Sequence, residues 1–432
     1  MSATAALARE AIRGGERRTP DALRGLLAVL AVLSLAWGAV AALTAEQHAS
    51  AAADVVAVSE PLSLDAEQIY QSLSDAEATA ANAFLGGGLE PAAARQRYQA
   101  DLAAAAKRIE AASAMVGIGA ARTEGDLTKL SADLPVYAGV VETARADNRL
   151  GLPLGAAYLR QASDLLSRQM LPAASDIYAN EDAQLTSASA QATGLPLMVI
   201  AILIGLAIGY VLLRTSRWLA RHTHRVLNPG LLVALAAVVV SLVWLASAFV
   251  IGRGDLLHAQ QYGSGPAKAF ARADVAALQA HADESLTLID NSGTDQYQGN
   301  FLTQQDLLGP GTGTLLADVA AAPAVAGAPS GQAVTDDARA WFTAHAALRA
   351  QDAGGGHPAA VNSALSGDSA TRFAALSTAL ESGITAHQAV FASSAHSGRD
   401  AFTGLEIGMI VASLAMVASC AWGLTRRLAE YR

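Results

Sequence analysis

The sequence is poor in several residue types, and each shortage narrows what the chain can be. Cys420 is the only cysteine among 432 residues, so no disulfide can form within the chain. Aromatic residues make up 5% and charged residues 16%, and no basic stripe with interleaved aromatic residues indicates a nucleic-acid partner. Hydrophobic residues make up 52%, and many of them are alanine, the strongest helix former. This composition predicts an all-α fold.

Catalytic and metal-binding motifs are also missing. The sequence contains no HExxH, GxSxG or Walker lysine motif. The stretch "DNSGTDQYQG" (290–299) resembles the start of an EF-hand loop, but Asp295 occupies the position that requires glycine and no glutamate follows at position twelve. We therefore expect a non-enzymatic protein without a metal or cofactor.

Four apolar runs without a charged residue predict four transmembrane helices, because a spanning helix needs about 20 apolar residues. The runs are 26–43, 195–213, 231–251 and 407–424. The first run follows several arginines and could be a signal peptide, but its length favours an uncleaved anchor. The lack of ionisable side chains inside the runs disfavours a transporter.

The charge distribution predicts the orientation in the membrane. Arginine dominates three short segments, 1–25, 214–230 and 425–432, which the positive-inside rule places in the cytoplasm. The remaining 17 of 29 basic and 34 of 38 acidic residues lie in the two large segments, 44–194 and 252–406. We expect a multi-pass plasma-membrane protein, surrounded by lipids, with both termini inside and both large segments outside.

The order of elements predicts a duplicated unit of span, extracytoplasmic segment and span. In segment 44–194, apolar residues such as Ile69, Leu73 and Ala76 recur at helical spacing, and glycine-rich turns at 86–91, 116–119 and 149–153 separate four helices. This pattern predicts a four-helix bundle. Segment 252–406 predicts a second, less regular helical domain, with loops at 309–313 and 322–332. Aromatic residues of both segments are expected in the cores: Tyr137, Tyr158, Tyr178, Trp341 and Phe342.

Prolines within helical sequence, Pro135 and Pro172, predict kinks. The turns farthest from the membrane should meet an external partner first. The candidate contact residues near these turns are Glu142, Arg145, Asn148, Arg149, Asp290, Asp295 and Gln296. The alternative interpretation is a set of solvated helix ends with intrahelical ion pairs.

A second candidate surface lies in the cytoplasmic loop. Spacings of three, four and four residues place four arginines within about 80° on one helical face. Together with the tail, the candidate residues are Arg214, Arg217, Arg221, Arg225, Arg426 and Arg427. Two interpretations remain open: the arginines bind lipid phosphates, or they contact an acidic surface of a cytoplasmic partner.

Two stretches resemble a known family. They are "LPVYAGVVETARADNRLGLPLGAAYLRQASDLLSRQMLPAA" (134–174) and "GLTRRLAEYR" (423–432), which are similar to the GlnX family of actinobacterial four-span proteins. The resemblance implies a signal relay between an external GlnH-type solute-binding lipoprotein, which recognises amino acids, and cytoplasmic protein kinase G or its regulator. The alternatives are a membrane scaffold or envelope-assembly protein without switching, and a transporter subunit.

Overall fold

The computed structural model describes residues 19–88, 90–115, 121–223, 228–290, 295–309 and 311–429. These residues form α-helices and three short π-helical segments and contain no β-strand, which confirms the all-α prediction. Four helical stretches among them are long and apolar enough to cross a membrane. Predictions for 1–18, 116–120, 224–227, 291–294 and 430–432 lie outside the described residues.

The helices are, in chain order, α1 Thr19–Asp54, α2 Glu60–Leu85, α3 Ala92–Met115, α4 Ala121–Arg149, α5 Leu154–Leu165, α6 Leu171–Ala192, α7 Pro196–Thr223, α8 Pro229–His258, α9 Gly265–Ile289, α10 Gln296–Leu308, α11 Leu315–Ala320, α12 Gly331–Ala353, α13 His357–Leu365, α14 Asp368–Asp400 and α15 Leu405–Ala429. The π-helical segments are π1 Val55–Ser59, π2 Leu166–Met170 and π3 Ala259–Ser264.

The chain divides into two compact units. The apolar unit comprises Met1–Ala53, Ser189–Leu256 and His396–Arg432 and contains the four apolar runs. The acidic unit comprises Asp54–Ala188 and Leu257–Ala395. The two large segments, for which the sequence predicts separate domains, therefore pack together within one unit.

Small residues bring the helices of the apolar unit close together. A Cβ atom at Gly38 would collide with Ser413, and one at Gly230 would collide with the backbone of Gly423. Asn228 reinforces the second contact, because its Nδ2 donates to Gly423 O at 3.0 Å. Cys420 is buried in this unit.

The first large segment contains the four predicted helical stretches, α2, α3, α4 and the run α5–π2–α6. The predicted stripe of Ile69, Leu73 and Ala76 is completely buried. Tyr137 is buried as expected, but Tyr158 is 37% exposed, so its prediction as a core residue is wrong. Its neighbours on the buried face of α5, such as Ala162, fill that core instead.

The second large segment has a core of its own around Trp341, which is completely buried as predicted. Phe301 contacts the Trp341 ring edge-on, with the ring centroids 5.5 Å apart. Phe342 is partly buried against the same cluster. Residues 322–330 form a loop as predicted, whereas helices α10 and α13 arise within sequence that glycine and proline make ambiguous.

A buried ionic cluster joins α9 to α12 and α14. Glu284 is completely buried, and Ser369 Oγ lies 2.9 and 2.8 Å from its two carboxylate oxygens. His345 Nδ1 lies 2.7 Å from Glu284 Oε2, and His281 Nδ1 lies 3.6 Å from Oε1. Burial opposes ionisation of Glu284, but the two imidazoles hold its pKa at about 2.

Helices α2 and α9, which follow the first and third apolar runs, contact each other in the acidic unit. Both are rich in buried alanine, so their backbones can approach closely. Ala78 of α2 forms an apolar cluster with Leu278 and Ala282 of α9. Polar side chains also cross between them, since Gln71 Nε2 donates to Asp274 Oδ2 at 2.7 Å.

A proline follows each π-helical segment. Pro61, Pro172 and Pro266 each lie two residues beyond the end of π1, π2 and π3. A proline cannot donate to the carbonyl four residues earlier and its ring clashes there, so the helix widens locally to hydrogen bonds five residues apart. The N–H of Gly265 accordingly donates to Gln260 O. Pro135 lies inside α4 without a π-helical segment.

Candidate functional site

A cleft lined mainly by polar side chains lies within the acidic unit. Its volume is about 530 Å³, and its walls are α2, the α5–π2–α6 run, α9 and α10. Only Leu171, Pro172 and Ala282 contribute wholly apolar side chains to the lining. A shallower depression of about 690 Å³ beside Pro329 has no ionisable lining residue.

Glu77 supplies one carboxyl group of the cleft from α2. Its side chain is buried, and burial raises its pKa to about 7. Ser163 of α5 donates its hydroxyl to Glu77 Oε1 at 2.6 Å, which offsets part of the cost of burying the charge. This hydrogen bond also fixes the orientation of the carboxyl group at the cleft wall.

Asp283 supplies a second carboxyl group from α9. Burial is the main cause and the nearby charge of Glu77 a smaller one, and together they raise its pKa to about 8. Asn300 of α10 donates to Asp283 Oδ1 at 3.4 Å, a weak contact that favours the charged form. The cleft thus holds two carboxyl groups that resist being ionised together near neutral pH.

Amide and hydroxyl groups form a chain across the cleft. Gln304 Nε2 donates to Gln279 Oε1 at 2.9 Å, and Gln279 Nε2 donates to the Tyr70 hydroxyl at 3.3 Å. Gln304 Oε1 is buried, and no hydrogen-bond donor lies near it among the described residues. A buried amide oxygen without a donor is costly unless a bound molecule or water supplies one.

The π-helical segment π2 lies on the cleft wall and contributes Ser167 and Arg168. Arg168 forms an ion pair with Asp164 at 3.2 Å, and its side chain is 70% exposed. The arginine is therefore at the rim and already paired with a carboxylate. A neighbouring cavity of about 330 Å³ shares Tyr70 and Gln279 with the cleft and extends the polar surface.

The structure places the predicted contact residues of α4 in two different environments. Arg149 is exposed and Glu142 is half-exposed, so both can meet a partner. Asn148 Nδ2 donates to Phe84 O at 3.0 Å and ties α4 to the end of α2. Arg145 is only 7% exposed, so its prediction as a partner-facing residue is corrected.

Three groups hold Arg145 in its buried position. They belong to α4, to α3 and to the turn before α3. Its guanidinium lies 2.7 Å from Glu142 Oε1, 3.0 Å from Glu90 Oε1 and 4.0 Å from the centre of the Tyr98 ring. The contact with Glu142 is the intrahelical ion pair that the alternative interpretation expects, whereas the stacking on Tyr98 depends on the packing of two helices.

The predicted residues at the start of α10 also differ from one another. Asp295 is exposed, but Gln296 lines the polar cleft. Asp290, at the end of α9, has a nearly buried carboxylate 3.5 Å from Arg160 of α5. Asp290 thus links the two large segments of the acidic unit, whereas Asp295 and Gln296 are both exposed.

The predicted basic surface belongs to the apolar unit. Arg214, Arg217 and Arg221 are exposed on the end of α7, which continues about three turns beyond the apolar run. Arg426 is exposed, with its guanidinium 5.8 Å from the centre of the Trp422 ring. Arg427 lies in α15, and Arg225 lies outside the described residues.

Sequence reasoning missed the cleft residues Glu77, Asp283 and Gln304. Each of them stands in ordinary amphipathic helical sequence, and the wall that faces it comes from a distant part of the chain. One signal was available: Pro172, singled out as a helix-breaking residue, lines the cleft and follows the π-helical segment in its wall. No group of three or more metal-ligating side chains occurs within the described ranges.

Comparison with known proteins gives one match. Neither the curated proteins nor the solved structures contain a match to this chain. Residues 51–190 match the family model of an actinobacterial sensor domain, about a third of the chain. The matched range nearly coincides with the first large segment of the acidic unit, Asp54–Ala188. The match supports an actinobacterial sensor family and a sensing role, and the four long apolar helices fit a membrane protein.

Proposed function

We propose that the chain is a non-enzymatic signal relay of the plasma membrane, with both termini and the basic surface in the cytoplasm and the acidic unit outside. In this proposal the acidic unit receives an amino-acid signal from a GlnH-type solute-binding lipoprotein. The basic surface passes the signal to protein kinase G or its regulator. The resemblance to the GlnX family supplies these partners, and the sensor-domain match supports the sensing role.

Helix continuity is the observation that carries the proposal. Arg24–Leu85 and Pro229–Ile289 are uninterrupted helical stretches, each leading from an apolar run into a large segment. In the returning direction, turns at 193–195 and 401–404 interrupt the chain. A continuous helix can transmit a shift or a rotation along its axis, whereas a turn absorbs it. The relay therefore uses the two uninterrupted stretches.

The π-helical segments π1 and π3 give these two stretches an element that can have more than one hydrogen-bonding arrangement. Each lies within a few residues of the boundary between the two units. A widened turn can migrate along the helix or revert to α-helical geometry. Either change rotates the part of the helix that follows the turn about the helix axis. Such a discrete change is what a two-state relay needs.

In the relay, the exposed arginines bind the cytoplasmic partner. In this proposal a separate cytoplasmic protein reads the signal. Arg214, Arg217 and Arg221 share one side of α7, where an acidic surface of the kinase or its regulator can bind.

Affinity purification tests the proposal. The tagged chain is isolated from cells grown with and without external amino acid, and the proteins on both sides are identified. The relay predicts that a solute-binding lipoprotein and a kinase-pathway protein co-purify, and that recovery of the second changes with the amino acid. Recovery of both partners at constant levels would instead support a scaffold without switching, and recovery of neither would refute the relay.

A second arm tests the basic surface. Replacement of Arg214, Arg217 and Arg221 by Gln removes the charge that attracts an acidic partner and keeps a polar side chain at each position. The relay predicts loss of the cytoplasmic partner with normal amounts of protein in the membrane. Failure of membrane insertion would show that the arginines serve as an anchor.

A further inference from the structure

We propose that the polar cleft of the acidic unit binds a small organic molecule that carries at least one ammonium group. This inference concerns direct binding by this chain. It adds to the proposed relay a ligand that the acidic unit binds itself. It rests on the proposed function only for the claim that binding produces a signal.

The size of the cleft fits an organic molecule. Its volume of about 530 Å³ lies within the range of about 300–1,000 Å³ that is typical of small-molecule sites. A single metal ion would fill little of this space, and the described residues provide no cluster of three ligands for one. The predominance of polar lining residues indicates a ligand that is itself polar.

The charges around the cleft select a cation. The ionisable groups that face it are Tyr70 and Glu77 of α2, Asp164 of α5, Arg168 of π2, Asp283 of α9 and Tyr297 of α10. The one basic group, Arg168, is paired with Asp164 at the exposed rim. Glu77 and Asp283 therefore face the interior of the cleft without a basic partner in their hydrogen bonds. An anion would meet two carboxyl groups there, and their ionised forms would repel it.

Hydrogen-bonding groups complete the site. The buried oxygen of Gln304 has no donor among the described residues, and an ammonium group is a compact donor of up to three hydrogen bonds. The Gln279 amide and the Tyr70 hydroxyl are already linked to Gln304 and hold this oxygen in place. The ligand would thus gain charge-assisted hydrogen bonds in a site that is largely arranged beforehand.

Binding of a cation also offsets the electrostatic cost of ionising the two carboxyl groups. Burial raises the pKa of Glu77 to about 7 and of Asp283 to about 8, so both carboxyl groups tend to hold protons near neutral pH. An ammonium group replaces those protons, and binding releases them. The affinity for the cation should therefore increase as pH rises from about 6 to about 8.5.

Because the two carboxyl groups lie on different helices, a bound ligand would affect how those helices are arranged. Glu77 lies on α2 and Asp283 on α9, the two helices that continue from apolar runs. A ligand between these carboxyl groups would stabilise one relative arrangement of α2 and α9 over others.

Isothermal titration calorimetry on the full-length chain in phosphatidylcholine nanodiscs tests the site. Three four-carbon probes differ only in their end groups: 1,4-diaminobutane, 1,4-butanediol and succinate. We expect saturable binding of the diamine alone, tighter at pH 8.5 than at pH 6, and none to empty nanodiscs. No binding of the diamine, or equal binding of succinate, would overturn the proposal.

Matched variants locate the binding. Glu77→Gln with Asp283→Asn should weaken diamine binding more than about tenfold and abolish its pH dependence. Asp336→Asn with Asp368→Asn removes the same charge from exposed helix surfaces and should leave binding unchanged. Asn300→Ala, at the rim, provides a milder variant should the double variant fail to fold, and it should weaken binding severalfold.

Unchanged diamine binding in a folded cleft variant would contradict the assignment. Because no partner protein takes part in the titration, intact binding together with a failed co-purification would refute the relay and leave the site standing.

Discussion

At the scale of single residues, burial by distant helices decides what each charged side chain does. Arg145 and Arg149 lie four positions apart on α4, but the first is buried beside Tyr98 and the second is exposed. The helical spacing shows only that both arginines are polar residues near a turn. It does not show that Tyr98 of α3 packs against Arg145. For the same reason, the sequence predicts the core residues Ile69 and Leu73 and not the buried carboxyl group of Glu77.

The buried cluster around Glu284 should contribute strongly to stability. Glu284→Gln removes the negative charge that two imidazoles face, so the variant should lose on the order of 3 kcal/mol of unfolding free energy. Thermal unfolding followed by circular dichroism measures the loss. Asp336→Asn, at an exposed ion pair of α12, is the matched control and should change stability by less than about 0.5 kcal/mol. Equal stability of both variants would refute the structural role of the cluster.

Stability should also depend on pH in the neutral range. Folding raises the pKa of Glu77 from 4.5 to about 7 and that of Asp274 and Asp283 from 3.8 to about 8. The folded state then holds protons that the unfolded state releases, so this stabilisation is complete below about pH 4 and is lost as pH rises through 7 to 8. We expect the unfolding temperature to fall by several degrees between pH 5.5 and 8.5.

The effect of Glu284 and a double variant complete that experiment. Glu284 acts in the opposite direction, but its lowered pKa of about 2 confines its effect to strongly acidic solutions. The Glu77→Gln and Asp283→Asn variant should flatten the decrease above pH 6. A profile that is independent of pH in the native chain would contradict the burial of these carboxyl groups.

At the scale of elements, prolines determine where the helices change their geometry. The sequence locates the four helical stretches of the first large segment closely, because glycine-rich turns with positive φ at Gly87, Gly88 and Gly151 separate them. The sequence identifies Pro172 as a disturbance but does not show that a π-helical segment accommodates it. In the second large segment, α10, α11 and α13 are short, and their glycine- and proline-rich borders conceal their periodicity.

A substitution at His387 tests how the chain compensates for the hydrogen bond that Pro266 cannot form. Pro266 has no N–H for the carbonyl of Tyr262, four residues earlier, and His387 Nδ1 lies 2.6 Å from that oxygen. We assign the ring nitrogen as the donor, since the carbonyl can only accept. His387→Phe retains the ring and removes the donor, so the unfolding free energy should fall by about 1–2 kcal/mol.

A double-mutant cycle isolates this hydrogen bond. In a Pro266→Ala background the helix can supply its own N–H, so His387→Phe should cost about 1 kcal/mol less than in the native chain. Chemical denaturation of the four proteins gives the coupling free energy. Additive losses would show that the histidine does not replace the hydrogen bond that the proline removes.

At the scale of the whole molecule, the packing of α2 on α9 is the feature that sequence reasoning could not supply. The duplicated order of elements is visible in the sequence. Both helices, however, are rich in alanine, and the sequence does not show which apolar helix face packs against them. Their small residues allow the close contact that unites the two large segments. Interfaces between segments more than 150 positions apart leave no periodic signal in either segment.

A larger side chain at this interface should disturb the acidic unit. Ala78 is 2% exposed and packs with Leu278 and Ala282. Ala78→Leu should lower the unfolding free energy by about 1–3 kcal/mol, because a close-packed interface cannot accommodate the added volume without strain. Ala346→Leu, on the exposed face of α12, provides the control. An unchanged unfolding midpoint for Ala78→Leu would contradict the packing of α2 on α9.

Site-specific photocrosslinking in living cells tests the relay most directly. A photoreactive amino acid replaces Ser216, between Arg214 and Arg217 near the end of α7, and Val199, at the beginning of the same helix, serves as the control. We predict that position 216 crosslinks to the kinase or its regulator, that external amino acid changes the yield about fivefold or more, and that position 199 gives no such product. An equal yield with and without the amino acid, or no protein product at position 216, would contradict the relay.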